Sequence, residues 1–235
     1  IKGAGSGVGL NLTCMNVEVK FVRLDGWQAG VLGVFNNNTI KDCMITGCGD
    51  AFKIYAQYYV IVGNEVANND EAVRAGIGGL NFIAHNYFVN NKIGFALYDS
   101  DNAIIQNNIV NCSDTVFRLD NLAWTQTVYH NNFVGNAKSV SDFTYSNSLE
   151  RPVQSQIQPW DNNITGNYWS NYKGTDGNGD GVGDSVMQIS TYYRGQLPSF
   201  YSFQDRYPLI SQYDVNLPVQ PIPHELIPSS NLSAV

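Results

Sequence analysis

IVGNEVANN (61–69) is followed in the chain by IAHNYFVNN (83–91), and the two stretches align without a gap. The same pattern occurs in IKDCMITGC (40–48), IQNNIVNCS (105–113) and VYHNNFVGN (128–136), and a sixth copy, ITGNYWSN, begins at Ile164. The first five copies start 21, 22, 22 and 23 residues apart. Each begins with an aliphatic residue and has Asn three places on, except for Cys43 in the first copy. A fixed period of this length indicates a repeat architecture.

A second apolar segment recurs at the same spacing. Its copies are VGLNL (8–12), GVLGV (30–34), AFKI (51–54), AVRA (72–75), GFAL (94–97) and VFRL (116–119). A repeat of about 22 residues is too short for long helices but holds two or three short strands. We therefore predict an all-β fold, a single-stranded right-handed parallel β-helix with an irregular C-terminal cap. With coils about 4.8 Å apart, some seven coils would make a rod roughly 34 Å long.

The asparagine of each copy is predicted to form a structural ladder. These residues are Asn64, Asn86, Asn108, Asn131 and Asn167. Residues at one repeat position lie above one another in a β-helix, so their side-chain amides can bond to each other along the axis. The alternative is a polar stripe that binds a ligand. Ile61, Ile83 and Ile105, with Val66, Phe88 and Val110, are expected to stack in the core by the same reasoning.

Three segments divide the chain. Residues 1–170 are predicted to form the coils, with an insertion at about 137–160, where the period is lost. Residues 171–216 are expected to hold a metal-binding loop and the C-terminal cap. Residues 217–235 contain four of the eight prolines and are predicted to be an extended tail, linker or docking strand.

Charge and glycosylation signals favour an exported protein. The net charge of −7 and the absence of a basic run make nucleic acid a poor partner, and no apolar stretch is long enough to cross a bilayer in this segment. Five Asn-x-Ser/Thr sequons are candidate glycosylation sites, at Asn11, Asn37, Asn111, Asn163 and Asn231. We expect an extracellular or cell-surface location. The pairing of the four cysteines stays open between a bridge within a turn and buried thiols.

The segment DGNGDGVGD (176–184) is predicted to bind calcium. Calcium takes six to eight oxygen ligands, and a tightly turning loop offers them at alternate positions. The expected ligands are the side chains of Asp176, Asn178, Asp180 and Asp184 and the carbonyl of Val182. The twelfth position holds Met187 where an EF-hand has Glu, and Asp205 is the candidate for a replacement ligand.

The run GNYWSNY (166–172), the Asp/Gly loop and DRYPL (205–209) resemble the C-terminal end of NosD-like proteins, which have right-handed parallel β-helix repeats and are common on archaeal cell surfaces. The resemblance is close over residues 161–210 and loose over the repeats. It implies an exported solenoid and does not imply one activity. It also raises a role in copper handling, although three His and three Met in no cluster argue against it.

Other residues suggest an enzyme. Asp99, Asp101 and Asp120 follow the second strand of successive coils, and with Arg118 or Lys92 they are candidates for glycoside hydrolysis or uronate elimination. Turn chemistry explains the same acids. Trp27, Trp124, Trp160 and Tyr192–Tyr193 are candidates for stacking on sugars or for packing. His85 and His130, two coils apart, are too distant to share one metal ion.

We predict a calcium-stabilised extracellular β-helix protein with a surface, structural or glycan-binding role. The alternatives are a calcium-dependent polysaccharide lyase or glycoside hydrolase and a copper-handling accessory protein. A lateral groove lined by acids and bases would favour the enzyme. The first coil at Ile1 is predicted to be uncapped, so we expect either a further N-terminal segment before Ile1 or self-assembly or a surface-layer partner at that end.

Overall fold

A computed structural model describes residues 1–76, 79–98, 100–120, 126–143, 156–189, 191–193 and 201–218. These residues form 24 short β-strands and no α-helix. The strands, numbered in chain order, repeat in groups of three over the first eighteen, and the first sixteen each pair in parallel with the strand three places further along. The all-β, right-handed parallel β-helix fold is therefore confirmed. No helix in the described ranges is long and apolar enough to span a membrane.

Sheet 1, the longest, contains eight parallel strands. They are β1 (Val8–Leu12), β4 (Ala29–Gly33), β7 (Asp50–Ile54), β10 (Glu71–Gly76), β13 (Ile93–Tyr98), β16 (Thr115–Asp120), β19 (Val140–Phe143) and β23 (Thr191–Tyr193). The second apolar segment of the repeat forms these strands, because its alternating side chains point into the core and out to solvent.

Sheets 2 and 3 are formed by the first repeat segment, which bends between its two strands. Sheet 2 contains β2 (Glu18–Lys20), β5 (Thr39–Lys41), β8 (Val60–Val62), β11 (Asn81–Ala84), β14 (Asn102–Ile105) and β17 (Gln126–Tyr129). Sheet 3 contains β3 (Arg23–Asp25), β6 (Met44–Thr46), β9 (Glu65–Ala67), β12 (Tyr87–Val89), β15 (Asn108–Val110), β18 (Asn132–Val134) and β21 (Tyr168–Trp169). Six coils thus have a strand in all three sheets.

The cap sheet is the only one with an antiparallel pair among the described strands. It contains β20 (Gln156–Pro159), β22 (Met187–Ile189) and β24 (Tyr201–Asp205), in the order β20, β24, β22. Beneath it Trp160 and Trp169 are buried, with ring centroids 6.4 Å apart, and Phe203 packs on Trp160. These rings continue the aromatic stack of the core, since Trp160 also contacts Phe117 at 4.6 Å.

Asparagine columns stand at the bends of the coils. In the first, each amide Nδ2 donates to the next Oδ1 at 2.9–3.0 Å, through Asn64, Asn86, Asn107, Asn131 and Asn167. Each Oδ1 also accepts the backbone N–H of the preceding asparagine. Every member is buried. The column therefore satisfies backbone groups at a corner where the sheet ladder is interrupted.

Asn108 was wrongly predicted as a member of this column, and Asn107 takes its position. The cause is the register, because Ile83 pairs with Ile104 and not with Ile105. Ile104 faces the core, while Ile105 packs in a second apolar cluster with Phe82 and Tyr129. The doubled Ile and doubled Asn in this copy permit either alignment in the sequence, and the packing of Ile104 in the main core cluster decides between them. Ile109, likewise, takes the position predicted for Val110.

Two further columns were not predicted. One joins Asn69 to Asn91 at 2.9 Å, and the other runs from Asn81 through Asn102 to Gln126 at 2.9 and 3.0 Å. A cysteine precedes the first asparagine of two columns, one coil earlier at the same repeat position. The backbone N–H of Cys43 donates to Asn64 Oδ1, and the backbone N–H of Cys48 donates to Asn69 Oδ1. Cys43, Cys48 and Cys112 are buried free thiols, and Cys14 is exposed.

Part of the predicted insertion at 137–160 belongs to a regular coil in the structure. Strand β19 continues sheet 1 in register with β16, so the regular coil extends to Phe143, inside the predicted insertion at 137–160. Strand β23, from the predicted cap segment, adds an eighth strand to the same sheet. Residues 144–155 and most of the predicted tail, 219–235, lie outside the described residues.

Candidate functional site

The outer face of sheet 1 carries charged residues in columns. Phe52 and Ile54 are buried in the core, so Lys53 between them points outward. The register pairs Asp50 with Glu71 and Lys53 with Arg74 on the next strand. An acidic column thus runs beside a basic one along the axis.

Arg74 connects the two carboxylates. Its Nε donates to Asp50 Oδ1 at 3.2 Å and lies 2.9 Å from Glu71 Oε2, an ion pair without hydrogen-bond geometry. Lys53 Nζ lies 3.6 Å from Asp50 Oδ2. The Asp50 and Glu71 carboxylates are therefore close enough for one guanidinium to contact both.

Arg118 completes the network from two coils away. The register runs from Arg74 to Ala96 and then to Arg118. Because Ala96 has only a methyl side chain, the Arg118 guanidinium reaches across it, bonds to Glu71 Oε1 and donates to the Tyr98 hydroxyl at 3.0 Å. Glu71 thus contacts two arginines from different coils.

The cations of this network are more exposed than the anions. The side chains of Lys53 and Arg74 are 31% and 30% exposed, against 12% for Asp50 and 7% for Glu71. Burial raises the pKa of Asp50, Arg74 opposes the rise, and Glu71 adds to it. Within this network the side chains nearest to solvent are therefore cations, whereas Asp70, an exposed carboxylate, lies beside it.

This network lines a groove of about 460 Å³ on the flank of the rod. The groove extends from Gln28 across Asp50, Glu71 and Lys92 to Arg118, at right angles to the strands. A second cavity of about 400 Å³ shares Gln28, Gly49 and Asp70 with it and continues to Trp27. We call the first cavity the lateral groove, and the second adjoins it at the turns before β4, β7 and β10.

The predicted catalytic acids do not form this groove. Asp99 and the side chain of Asp120 lie outside the described residues, and Asp101 is absent from the groove lining. The predicted basic residues Arg118 and Lys92 do line it, as does Trp27, whereas Trp160 is buried in the core and Trp124 is not described. A signal for the missed residues exists in the repeat, where DAFKI (50–54) and EAVRA (71–75) share an acid and a base at matching positions.

The predicted calcium loop is a tight turn on the cap. Asp176 accepts the backbone N–H groups of Gly179, Asp180 and Gly181, and Asp180 Oδ1 accepts that of Val182. Asp184 Oδ2 accepts from Thr175 Oγ1 and the Gly177 N–H. Among the described residues no three His, Cys, Asp or Glu side chains converge as a metal site. The predicted ligand set also includes an asparagine side chain and a backbone carbonyl, which are not among those residue types. The carboxylate oxygens of the loop accept only one or two hydrogen bonds each, so they keep lone pairs that can bind a cation.

Asp205 is not a member of that loop. It is fully buried at the end of the first asparagine column, where Oδ2 accepts the Asn167 N–H at 2.6 Å and the Trp169 Nε1–H at 2.9 Å. Burial raises its pKa to about 6, while the hydrogen bonds from Trp169, Asn167 and Tyr207 act in the opposite direction. The suggested replacement ligand is therefore wrong, because its carboxylate caps the column.

Two of the three histidines, His85 and His130, contact the C-terminal segment. His85 Nδ1 contacts the Val215 carbonyl, and the His130 ring stacks on Tyr213 with centroids 4.0 Å apart. Burial lowers the pKa of His130 to about 4. The segment up to Leu217, which accepts a bond from Gln106, thus packs along the bend between sheets 2 and 3.

Three of the five predicted glycosylation sites are exposed, namely Asn11, Asn111 and Asn163. Asn37 is partly buried, and Asn231 lies outside the described residues.

Comparison with known protein families gives one finding. The sequence model of a family described as right handed beta helix region matches residues 6–151, which is more than half of the chain. No curated protein matches the chain.

Proposed function

Because the chain belongs to the family of right-handed β-helix regions, we propose that it is a glycan-binding protein of the cell surface, without catalytic activity, that holds its ligand in the lateral groove of sheet 1. The fold is compatible with a structural or binding role. The observation that carries the proposal is the ion network of Asp50, Glu71, Arg74 and Arg118 on a continuous flank of the rod.

A groove of this kind suits a linear polymer. It runs along the rod across several strands, is open at the side and carries many donors from Lys and Arg. Hydroxyl-rich ligands require such donors in fixed positions, and the strands of a stacked sheet hold them rigidly.

The same network argues for binding over catalysis. Asp50 and Glu71 lie beneath their cationic partners and are engaged in ion pairs. A general acid or base must be within hydrogen-bond reach of the substrate. Carboxylates in these positions primarily orient the cations.

Calcium is a further part of the proposal. Asp176, Asn178, Asp180, Asp184 and the Val182 carbonyl would hold the ion, which would neutralise three neighbouring carboxylates. The loop is joined to the end of the rod, since Val182 forms an antiparallel bridge with Leu209. Bound calcium would thus stabilise the cap.

A surface location is supported by the three exposed sequons and by the resemblance of residues 161–210 to NosD-like proteins. Self-assembly would use the first coil, where β1 and β2 each have an edge without a partner among the described strands.

A glycan-binding test uses a panel of neutral and acidic glycans with the wild-type protein and a Lys53→Ala/Lys92→Ala variant. We expect binding to at least one glycan, and the variant should weaken it at least fivefold by removing groove donors. Lys20→Ala on sheet 2 is the control and should bind as the wild type does. The proposal fails if no glycan binds or if the groove variant binds like the control.

Polysaccharide cleavage is a second candidate, favoured by the raised pKa of Asp50 beside Glu71. A pair of neighbouring carboxyl groups is what acid–base cleavage of a glycosidic bond requires. Release of reducing ends or of unsaturated uronate ends, lost in Asp50→Asn, would establish it. Binding without release of either product would exclude it for the glycans tested.

A further inference from the structure

The outer face of sheet 2 changes from charged to apolar along the rod. Ile40, Ile61 and Ile83 belong to the main core cluster, so their neighbours in the same strands point outward. On β2 and β5 the outward side chains are mostly polar and include the ion pair of Glu18 and Lys41. On β8, β11, β14 and β17 all but one of them are apolar. We call these the apolar face, namely Val60, Val62, Phe82, Ala84, Ala103, Ile105 and Tyr129, with Thr127 as the polar exception.

The apolar face is covered. Ala84, Ala103 and Ile105 are fully buried although they point away from the core. An outward side chain on an open sheet is accessible to solvent, as Tyr87 on the outer face of sheet 3 is at 44%. Outside the face, Leu80 is the partly buried apolar side chain among the described residues that packs against this cluster. One leucine is too small to cover four strands, so a further segment of chain is needed over the face.

The C-terminal segment of the chain reaches the edge of this face. Asn132 Nδ2 donates to the Tyr213 carbonyl at 2.9 Å, and its Oδ1 accepts the Tyr213 N–H at 2.8 Å. Gln106 Nε2 donates to the Leu217 carbonyl at 2.8 Å. Gln106 directly follows Ile105, the last residue of β14 and a member of the apolar face. The rod therefore holds the backbone at Leu217 beside the face, and the proline-rich residues follow from there.

The contacts at the bend suit a proline-rich peptide. Side chains of the rod bind backbone carbonyls there, and a polyproline II segment leaves its carbonyls free because it has no internal hydrogen bonds. Such segments bind to surfaces lined by aromatic rings. His130 stacks on Tyr213 and meets the edge of Tyr129, so three rings line the C-terminal end of the face. The sequence after Leu217 has four prolines and the apolar residues Val219, Ile222, Leu226 and Ile227.

We propose that the apolar face is a docking site for residues 219–235 of the same chain, which bind along it in an extended conformation with their apolar side chains against β8, β11, β14 and β17. The same chain is the occupant because Leu217 is already held beside β14, which gives the following residues a high effective concentration at the face. An uncovered apolar patch promotes association between molecules. Docking therefore keeps copies of the rod from associating through sheet 2, and it does not depend on glycan binding to sheet 1.

Thiol labelling of the full chain tests the cover. Ala103→Cys places a thiol on the apolar face with little change in volume, and Val110→Cys places one in the same coil on the outer face of sheet 3. We expect the first thiol to react at least about tenfold more slowly than the second, with the modified peptide identified by mass spectrometry. Adding Ile222→Ser and Ile227→Ser to Ala103→Cys should raise its labelling rate at least about tenfold. The control pair Ser229→Ala and Ser230→Ala should leave that rate unchanged. Circular dichroism of each variant shows whether the rod remains folded.

Photo-crosslinking of the full chain identifies the occupant, and it stays informative if a labelling variant fails to fold. A benzoylphenylalanine in place of Ile222 should attach to β8, β11, β14 or β17 of its own chain. Crosslinks between two chains, with protection of Ala103→Cys that is lost on dilution, would assign the face to a second copy and overturn the inference. Crosslinks to other parts of the rod, or labelling that Ile222→Ser and Ile227→Ser leave unchanged in a folded protein, would overturn it as well. None of these results changes the glycan-binding test, so the two proposals fail separately.

Discussion

Arg118 donates a hydrogen bond from its guanidinium to the carboxylate of Glu71, 47 residues earlier in the chain. The contact crosses an intervening strand and is possible because Ala96 leaves the space above it open. Three strands of sheet 1 are thereby connected by side chains as well as by the backbone ladder. The groove is therefore a rigid surface.

Glu71→Gln is expected to destabilise the protein. The change leaves Arg74, which is partly exposed, and Arg118, which is mostly buried, without the negative charge they share. Removing one partner of a buried ion pair costs several kcal/mol, and partial exposure of Arg74 reduces this to about 2 kcal/mol. Urea unfolding measures the loss. Glu18→Gln, at the exposed pairs with Lys20 and Lys41, should cost less than about 0.5 kcal/mol. Equal effects would show that the groove pairs are no stronger than surface pairs.

Asn107→Leu and Asn108→Leu form a matched pair. Asn107 accepts from the backbone and side chain of Asn86, so leucine there leaves buried donors unpaired at about 1 to 3 kcal/mol per group. Asn108 is half-buried and accepts one bond from Asn132, so its loss should cost about 1 kcal/mol or less. A larger loss of unfolding free energy in Asn108→Leu would contradict the register.

Asp205 predicts an unusual pH dependence. Its pKa in the folded protein is about 6, above the ordinary value of 3.8, because burial disfavours the charged form. The folded state therefore binds this proton more tightly than the unfolded state does. As the pH falls through 6 the folded state gains stability, on the order of 2 kcal/mol by pH 4, and it loses this gain as the pH rises again.

The Asp205→Asn variant isolates that effect from other carboxyl groups. Asp161, whose pKa is lowered by Arg206 despite burial, contributes in the opposite sense, because its stabilisation is lost as the pH falls. The difference in unfolding free energy between wild type and Asp205→Asn should shift in favour of the wild type between pH 7 and pH 4.5. A difference that does not change with pH would refute a titrating Asp205.

Calcium should raise the melting temperature of the protein. A ligand that binds only the folded state stabilises it by about 2.7 kcal/mol at a hundredfold excess over Kd. Asp180→Asn removes one negative charge from the loop and can retain the bond to the Val182 N–H, so it should weaken the response. Asp214→Asn, an exposed substitution outside the loop, should not. No heat of calcium binding in the wild type would end this part of the account.

The repeat made the fold predictable, but the sequence did not settle every register. Stacked coils require apolar residues at a fixed interval, and Ile61 and Ile83 meet that requirement unambiguously. At Ile104–Ile105 two alignments satisfy the pattern, and only packing against neighbouring coils selects one. The other polar columns were hidden because Cys48, Asn69 and Gln126 share a structural role without sharing a residue type.

The groove was less predictable than the fold. Lys53 and Arg74 recur visibly in the repeat, but their pairing with Asp50 and Glu71 depends on the bend before each strand of sheet 1. The reach of Arg118 to Glu71 depends on the small size of a residue one strand away. The spacing of the repeat predicts which strands are neighbours but not how far a side chain extends. The acids predicted from spacing, Asp99, Asp101 and Asp120, therefore differ from the acids that line the groove.

A crystal structure with a bound oligosaccharide, chosen from the glycans that bind in solution, tests the central claim most directly. The account predicts density for a sugar chain along the outer face of sheet 1, from Gln28 past Lys92 towards Arg118, with its oxygen atoms against the Lys and Arg side chains. A saccharide bound with measurable affinity in solution but located on sheet 2, sheet 3 or the cap would contradict it.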